Sequence, residues 1–158
     1  QLATQLGKRF VDADQEIEKR TGVSIPTIFD IEGEEGFRSR EVAVIDELTR
    51  EQGVVLATGG GAVLREENRA VLHSRGTVVY LKADLDTLCE RTRRDRNRPL
   101  LQTADPRGRI AELLEQREPI YLGLADIVVE TGQRSPAHVA RDIVNRLKQR
   151  YGNEHPQG

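Results

Sequence analysis

Val54-Val55-Leu56-Ala57-Thr58-Gly59-Gly60-Gly61 reads as a short apolar strand running straight into three glycines. Val54–Ala57 has no polar interruption, the pattern of a strand covered on both faces in a parallel sheet. Three glycines at its carboxyl end leave no side chain between the backbone N–H groups and a ligand, which makes an anion or hydroxyl site; a flexible turn is the competing reading. Three further runs of this kind flank it: Arg9–Val11, which is weaker, Thr77–Leu81 and Asp126–Glu130. Helical patterns lie between them. One runs from about Glu34 to Gln52, with Phe37, Val44, Ile45 and Leu48 on one face and Gly53 as its stop. Another runs from Asp84 to about Arg94, with Leu85, Leu88 and Cys89 inward. The last opens at Ser135-Pro136, an N-cap followed by proline, with a stripe of Val139, Ile143, Val144 and Leu147. Strand–helix alternation predicts βαβ units and an α/β fold with a parallel sheet.

The bulk properties narrow the function classes. A chain of 158 residues, 37% apolar and 32% charged, fits one domain with a real core and a well-solvated surface. Its net charge of −2 argues against a dedicated nucleic-acid binder, and its three Tyr and three Phe form no stacking array. A lone cysteine, Cys89, forms no internal disulfide, which points to a reducing, cytoplasmic setting. No run of about 18 apolar residues and no signal-peptide pattern is present, so no membrane association is expected. The chain opens at Gln1 inside a predicted helix, Gln1–Leu6, closed by Gly7. Residues 1–151 are expected to form one domain, and residues 152–158, which lack periodicity, a disordered tail.

Ligands of an open parallel sheet bind beyond the carboxyl ends of its strands. After the first strand stand Asp12 and Asp14. At i and i+2 both carboxylates can face one crevice, one toward a cation through water and one toward a hydroxyl whose proton it can accept; capping of the helix Gln15–Arg20 is the alternative. After the helix begun at Asp84, the stretch from Arg91 to Leu101 carries five arginines and enters a polar loop, Gln102–Arg109. An arginine on a mobile loop over phosphates can contribute a factor of about 10³–10⁵ to phosphoryl transfer; a solvated basic helix end is the bland alternative. Arg38 stands beside Phe37, and Arg117 ends another helix before Glu118-Pro119. Either arginine can grip a carboxylate bidentately or form a surface ion pair with its glutamate neighbours. His73, His138 and His155 have no metal-ligand or triad spacing, and Cys89 reads as a core residue.

In combination these stretches resemble shikimate kinase. The matching segments, in order, are Phe10–Glu18, Gly33–Glu41, Val55–Gly61, Val78–Leu81, Arg98–Leu101 and Arg117–Tyr121, within a resemblance running from Gln1 to about Leu147. The resemblance implies a three-layer α/β/α fold of the P-loop kinase type and transfer of phosphate from ATP to the 3-hydroxyl of shikimate. It assigns Asp14 to the shikimate hydroxyls and to the role of base, and Arg38 and Arg117 to the carboxylate. Gly59, Gly60 and Gly61 would line the substrate pocket. Asp12 would support Mg²⁺ through water, and Arg98, in a lid of about residues 94–109, would approach the transferring phosphate. Arg91 would stack on the adenine, with Arg134 and Pro136 closing over it. A monomer is expected.

One departure is large. The family opens with a strand and a phosphate-binding loop, G-x-x-x-x-G-K-[ST], whose N–H groups and Lys cradle the phosphates. Gly7-Lys8 does not supply it, because Arg9 follows where Ser or Thr is needed and Leu2 stands where the first glycine belongs. The expectation is therefore an upstream segment in the working protein, a gap in the sheet where a central strand would lie, and no shikimate-dependent ATP turnover by these 158 residues alone. Two other readings stay open: a kinase for another small acid such as gluconate, and a non-catalytic acid-binding domain.

Overall fold

The computed structural model describes residues 2–94, 105–132 and 134–152. After a one-turn helix, α1 (Leu2–Leu6), strand β1 (Arg9–Asp12) leads into α2 (Ala13–Thr21) and α3 (Ile25–Leu48), and the chain returns as β2 (Val54–Ala57). A 3-10 turn, Gly60–Leu64, and α4 (Glu66–Arg75) lead to β3 (Val79–Lys82). Helices α5 (Leu85–Arg94) and α6 (Pro106–Leu124) precede β4 (Ile127–Glu130) and α7 (Pro136–Gly152). Both βαβ units are parallel as the alternation requires: β1 pairs with β2, Phe10 opposite Val55, and β3 with β4, Tyr80 opposite Val128. Among the described residues no ladder joins one pair to the other, which agrees with the expected gap in the sheet.

Each pair carries its own core. Ala13 and Ile17 of α2, Ile25, Ile28, Phe37, Val44, Ile45 and Leu48 of α3 and Ala62 pack together, with Val11 and Leu56 of the strands against them. Ile17 and Ile45, fully out of water, each contribute about 2 kcal/mol of apolar burial. The second cluster holds Ile127 and Val129 of β4 and Val139 and Ile143 of α7, with Val79, Leu147 and Leu2. Leu2 is the crossing point, because α1 packs on α7 while Lys8 N donates to Ala3 O (2.9 Å) and Arg9 N to Gly53 O (3.1 Å) at the head of the first pair.

Several expectations change in detail. The long helix begins at Ile25 rather than Glu34, capped by Ser24 with Pro26 in its first turn, and it bends at Gly33, whose φ of 73° breaks the helical run. It stops at Leu48 rather than Gln52, where Thr49 Oγ1 takes the Ile45 carbonyl (2.8 Å). Arg109 lies in α6 rather than in a loop, because Asp105 caps that helix through Gly108 N (3.1 Å). Arg117 does not end its helix: α6 passes through Pro119 to Leu124. Proline lacks the N–H donor and disfavours the preceding turn, the reason for expecting a stop. The contacts made by Tyr121 beyond it outweigh that cost. The strands are not covered on both faces throughout, since Phe10 is 56% and Leu81 51% exposed. Cys89 is half-buried rather than core. Gly152, expected to open a disordered tail, closes α7 instead, and residues 153–158 lie outside the described residues.

Candidate functional site

The three glycines are where the site converges. Gly59 is extended and Gly60–Leu64 curls into a 3-10 turn directly beyond β2. Each glycine faces a different side chain. A methyl group at Gly59 would lie 2.9 Å from Oδ2 of Asp14, and one at Gly61 would lie 2.6 Å from Cζ of Arg38. At Gly60 it would lie 2.9 Å from the Tyr121 hydroxyl and 3.7 Å from Nη1 of Arg117. Any Cβ here would displace a charged or polar group, so the glycines act by close approach; none of the three has the positive φ that would demand glycine by conformation. Asp14, Arg38 and Arg117, from three separate helices, thus meet at one turn.

Arg38 is held there rather than free. Only 6% exposed, it donates from Nη1 to Oε1 of Glu41 at 3.0 Å, has Oε1 of Glu34 3.6 Å from Nη2, and lies 5.2 Å over the Phe37 ring. Glu41 is fully buried. Burial pushes its carboxyl above the usual range, the charge and hydrogen bond of Arg38 pull it back, Asp14 pushes it up and Arg117 pulls it down. One buried carboxylate therefore feels all three candidate side chains. Glu41 stands one turn after Arg38, an i,i+3 spacing that would have found it.

Asp12 ends β1 and caps α2: its Oδ1 accepts from Asp14 N (2.9 Å) and Gln15 N (3.1 Å). The capping alternative is thus realised. The other oxygen, Oδ2, makes no hydrogen bond to a described residue.

The turn is braced by residues the sequence reading missed. The Tyr121 hydroxyl donates to Gly60 O at 2.6 Å, Asn68 Nδ2 to Ala62 O at 2.9 Å and Arg69 Nη1 to Val63 O at 2.6 Å. Tyr121 packs at 4.9 Å on Tyr80 of β3, whose hydroxyl donates to Glu118 Oε1 at 3.4 Å. Burial first, then the Glu118 charge, pushes the Tyr80 hydroxyl up to about 12. Tyr121 follows Arg117 by four residues, one turn of the same face, but Pro119 hid that spacing by predicting a helix end.

The remaining candidates gather beyond β3 and β4. Arg91 Nη2 donates to Oγ1 of Thr131 (3.2 Å), and Thr131, buried, is fixed on Lys82 O through both N (2.8 Å) and Oγ1 (3.1 Å). Arg134 N donates to Thr131 O (2.9 Å), so one threonine orders both arginines. The Arg134 guanidinium folds onto α7 instead of Arg91, reaching Glu130 O (3.1 Å) and Asp142 Oδ2 (3.1 Å) and holding the Asp142 carboxyl below its usual range. Pro136 is the first residue of α7. Arg98, and residues 95–104 of the expected lid, lie outside the described residues.

No described helix is long and apolar enough to cross a membrane, and the described residues hold no group of three or more metal-ligating side chains. Comparison with known proteins now bears on this geometry. The family model for shikimate kinase matches residues 1–148. The chain is 60% identical over 146 residues to the shikimate kinase of Nitrosospira multiformis, covering 92% of this chain and 75% of that one. It is 54% identical over 157 residues to that of Thioalkalivibrio sulfidiphilus, covering 99% and 83%. Among solved structures it superposes on shikimate kinase from Acinetobacter baumannii in complex with shikimate, with a TM-score of 0.87, 46% identity, and 96% and 83% of the two chains covered. Shikimate kinase from Aquifex aeolicus follows at 0.80, 37%, 93% and 85%. These neighbours give the two parallel strand pairs and their helices the three-layer α/β/α fold of P-loop kinases, and by sequence and structure together the chain belongs to the shikimate kinase family.

Proposed function

We propose that this protein transfers the γ-phosphoryl group of ATP to the 3-hydroxyl of shikimate, and that the turn Gly59–Gly61 is the floor of the acceptor site. The observation that carries this reading is the placement of two guanidinium groups and one carboxylate on three successive glycines. Arg38 and Arg117 together bind a carboxylate, a planar anion that the arginine fork fits. Asp14 orients the hydroxyls and takes the proton of the 3-hydroxyl as its oxygen forms a bond to phosphorus and the bond between phosphorus and the leaving ADP breaks. Arg91, steadied by Thr131, lies on the adenine, beside Arg134 and Pro136. Arg98 is assigned to the transferring phosphate from sequence alone.

Kinases of this class use Mg²⁺, which commonly keeps several waters and takes one or two carboxylates plus substrate phosphates. Asp12 fits that demand, with Oδ1 committed to the helix cap and Oδ2 unengaged by the described residues. The ion would neutralise charge on the phosphates. A monomeric, cytoplasmic protein is proposed on the single cysteine and the unremarkable charge.

Isothermal titration with shikimate and with gluconate tests the reading. Binding of shikimate in preference is expected, and it should be lost in Arg117→Ala. Equal or stronger binding of gluconate overturns the assignment in favour of another small-acid kinase. Coupled turnover, measured on the protein as its gene encodes it, separates a kinase from an acid-binding domain.

A further inference from the structure

Tyr121 joins three parts of the site. It lies on α6 one turn beyond Arg117, its ring rests on Tyr80 of β3, and its hydroxyl reaches the carbonyl of Gly60 beyond β2 at 2.6 Å. The two strand pairs share no ladder among the described residues. The spacing between Arg117 and the glycine turn is therefore set by side-chain contacts, among them the Tyr121–Gly60 bond. The bond also fixes a direction. In a trans peptide the C=O of one residue and the N–H of the next point opposite ways, and no cis bond occurs among the described residues. With the Gly60 carbonyl turned to Tyr121, the Gly61 N–H is turned away from Tyr121. Asn68 and Arg69 grip the carbonyls two and three residues on, of Ala62 and Val63, so the turn cannot readily counter-rotate.

We propose that Tyr121 is a positioning residue for the acceptor carboxylate. Its hydroxyl orients the Gly60–Gly61 peptide so that the Gly61 N–H serves as a third donor beside Arg38 and Arg117, and it sets the distance from that donor to Arg117. This rests on the shikimate reading of the site.

Tyr121→Phe tests it by removing one oxygen while keeping the ring on Tyr80. Shikimate affinity by isothermal titration is expected to fall about 10-fold, with nucleotide affinity and the ligand-free melting temperature unchanged. In heteronuclear NMR spectra the ligand-free Gly60 and Gly61 amide signals are expected to move, and the shift that shikimate induces at Gly61 to shrink. Tyr151→Phe, in the last turn of α7 with its hydroxyl paired to Thr77 ahead of β3, should bind shikimate as the parent does. Unchanged shikimate affinity in Tyr121→Phe overturns the proposal. So does an equal loss for shikimate and nucleotide with a lowered melting temperature, the mark of a merely structural role. A parent protein that takes no shikimate overturns the reading of the site itself; unmoved Gly60 and Gly61 signals in ligand-free Tyr121→Phe overturn the inference independently of it.

Discussion

Arg38 and Glu41 form a salt bridge of 3.0 Å inside the protein, with only 6% and none of the two residues exposed. Removing one partner of such a pair strands the other, at a cost of about 3–5 kcal/mol. The cost in Arg38→Leu should depend on pH, and its sign follows from Glu41. Burial has raised that carboxyl above its unfolded value. A group so raised supports the fold below its ordinary pKa and withdraws that support as pH rises. Loss of Arg38 removes the two largest influences that hold Glu41 down and leaves only the weaker pull of Arg117, so the withdrawal deepens. The melting-temperature gap between parent and Arg38→Leu should widen from about pH 5 to about pH 8. A gap that stays constant or narrows would contradict this account.

The pair is a poor investment in stability, which separates its two possible uses. Replacing a buried ion pair by apolar residues of similar volume is often neutral or stabilising by about 1–4 kcal/mol. Arg38→Met combined with Glu41→Leu should therefore melt no lower than the parent in chemical denaturation, yet bind no shikimate. If the double variant unfolds more easily than Arg38→Leu alone, the pair is there for the fold.

Glycine substitutions should sort by what each Cα faces. Gly61→Ala drives a methyl into the Arg38 guanidinium and Gly59→Ala into the Asp14 carboxylate. Both should weaken shikimate binding by about 10-fold or more, Gly61→Ala through the carboxylate and Gly59→Ala through the hydroxyls. Gly76→Ala is the control, since nothing lies within 4 Å of its Cβ position and its backbone is extended. Titration of the three variants with shikimate and with a methyl ester of shikimate separates the effects: the ester should cancel most of the difference made by Gly61→Ala and little of that made by Gly59→Ala.

Thr131 should matter to the nucleotide and not to the acid. Its hydroxyl accepts from Arg91 and donates to Lys82 O, while its own N–H already satisfies that carbonyl. Thr131→Val keeps the shape and frees Arg91. One such bond is worth about 1 kcal/mol, so ATP affinity should drop about 5-fold with shikimate affinity unchanged. Equal ATP binding by the variant would remove Arg91 from the adenine site.

What could be read from the residues alone follows from how local each signal is. Val54–Ala57 and the glycines after it are a contiguous pattern, and so are the apolar stripes of α3 and α7; they stand where the periodicity put them, except that Val144 of the α7 stripe is outside the core cluster. Asp14 was legible because a parallel sheet sends its ligands to the strand ends; Arg38 and Arg117 were legible as arginines able to grip a carboxylate, and their joint role came from the resemblance to shikimate kinase. Tyr121 and Thr131 were not, because their roles are contacts with distant carbonyls and side chains, whereas Glu41 could have been found from its i,i+3 spacing to Arg38. Pro119 shows the reverse failure: a strong local stop signal overridden by tertiary packing of the turn beyond it.

The unjoined strand pairs predict a pattern in amide hydrogen exchange. In a parallel ladder, alternate residues of a strand face the neighbour. Ile127 N donates to Val78 O, with Val79 opposite Ile127, so Tyr80 and Lys82 direct their N–H groups at β4 while Val79 and Leu81 face the other edge. Arg9 N donates to Gly53 O, with Arg9 opposite Val54, so Val55 and Ala57 face β1 while Val54 and Leu56 face away. An outward-facing N–H with no partner exchanges from the folded state, whereas a ladder N–H must wait for the strands to part. For a protein of these 158 residues, Val54, Leu56, Val79 and Leu81 should exchange faster than Val55, Ala57, Tyr80 and Lys82. Uniform protection along both strands would mean that the two inner edges find a partner in solution, and would count against the gap in the sheet.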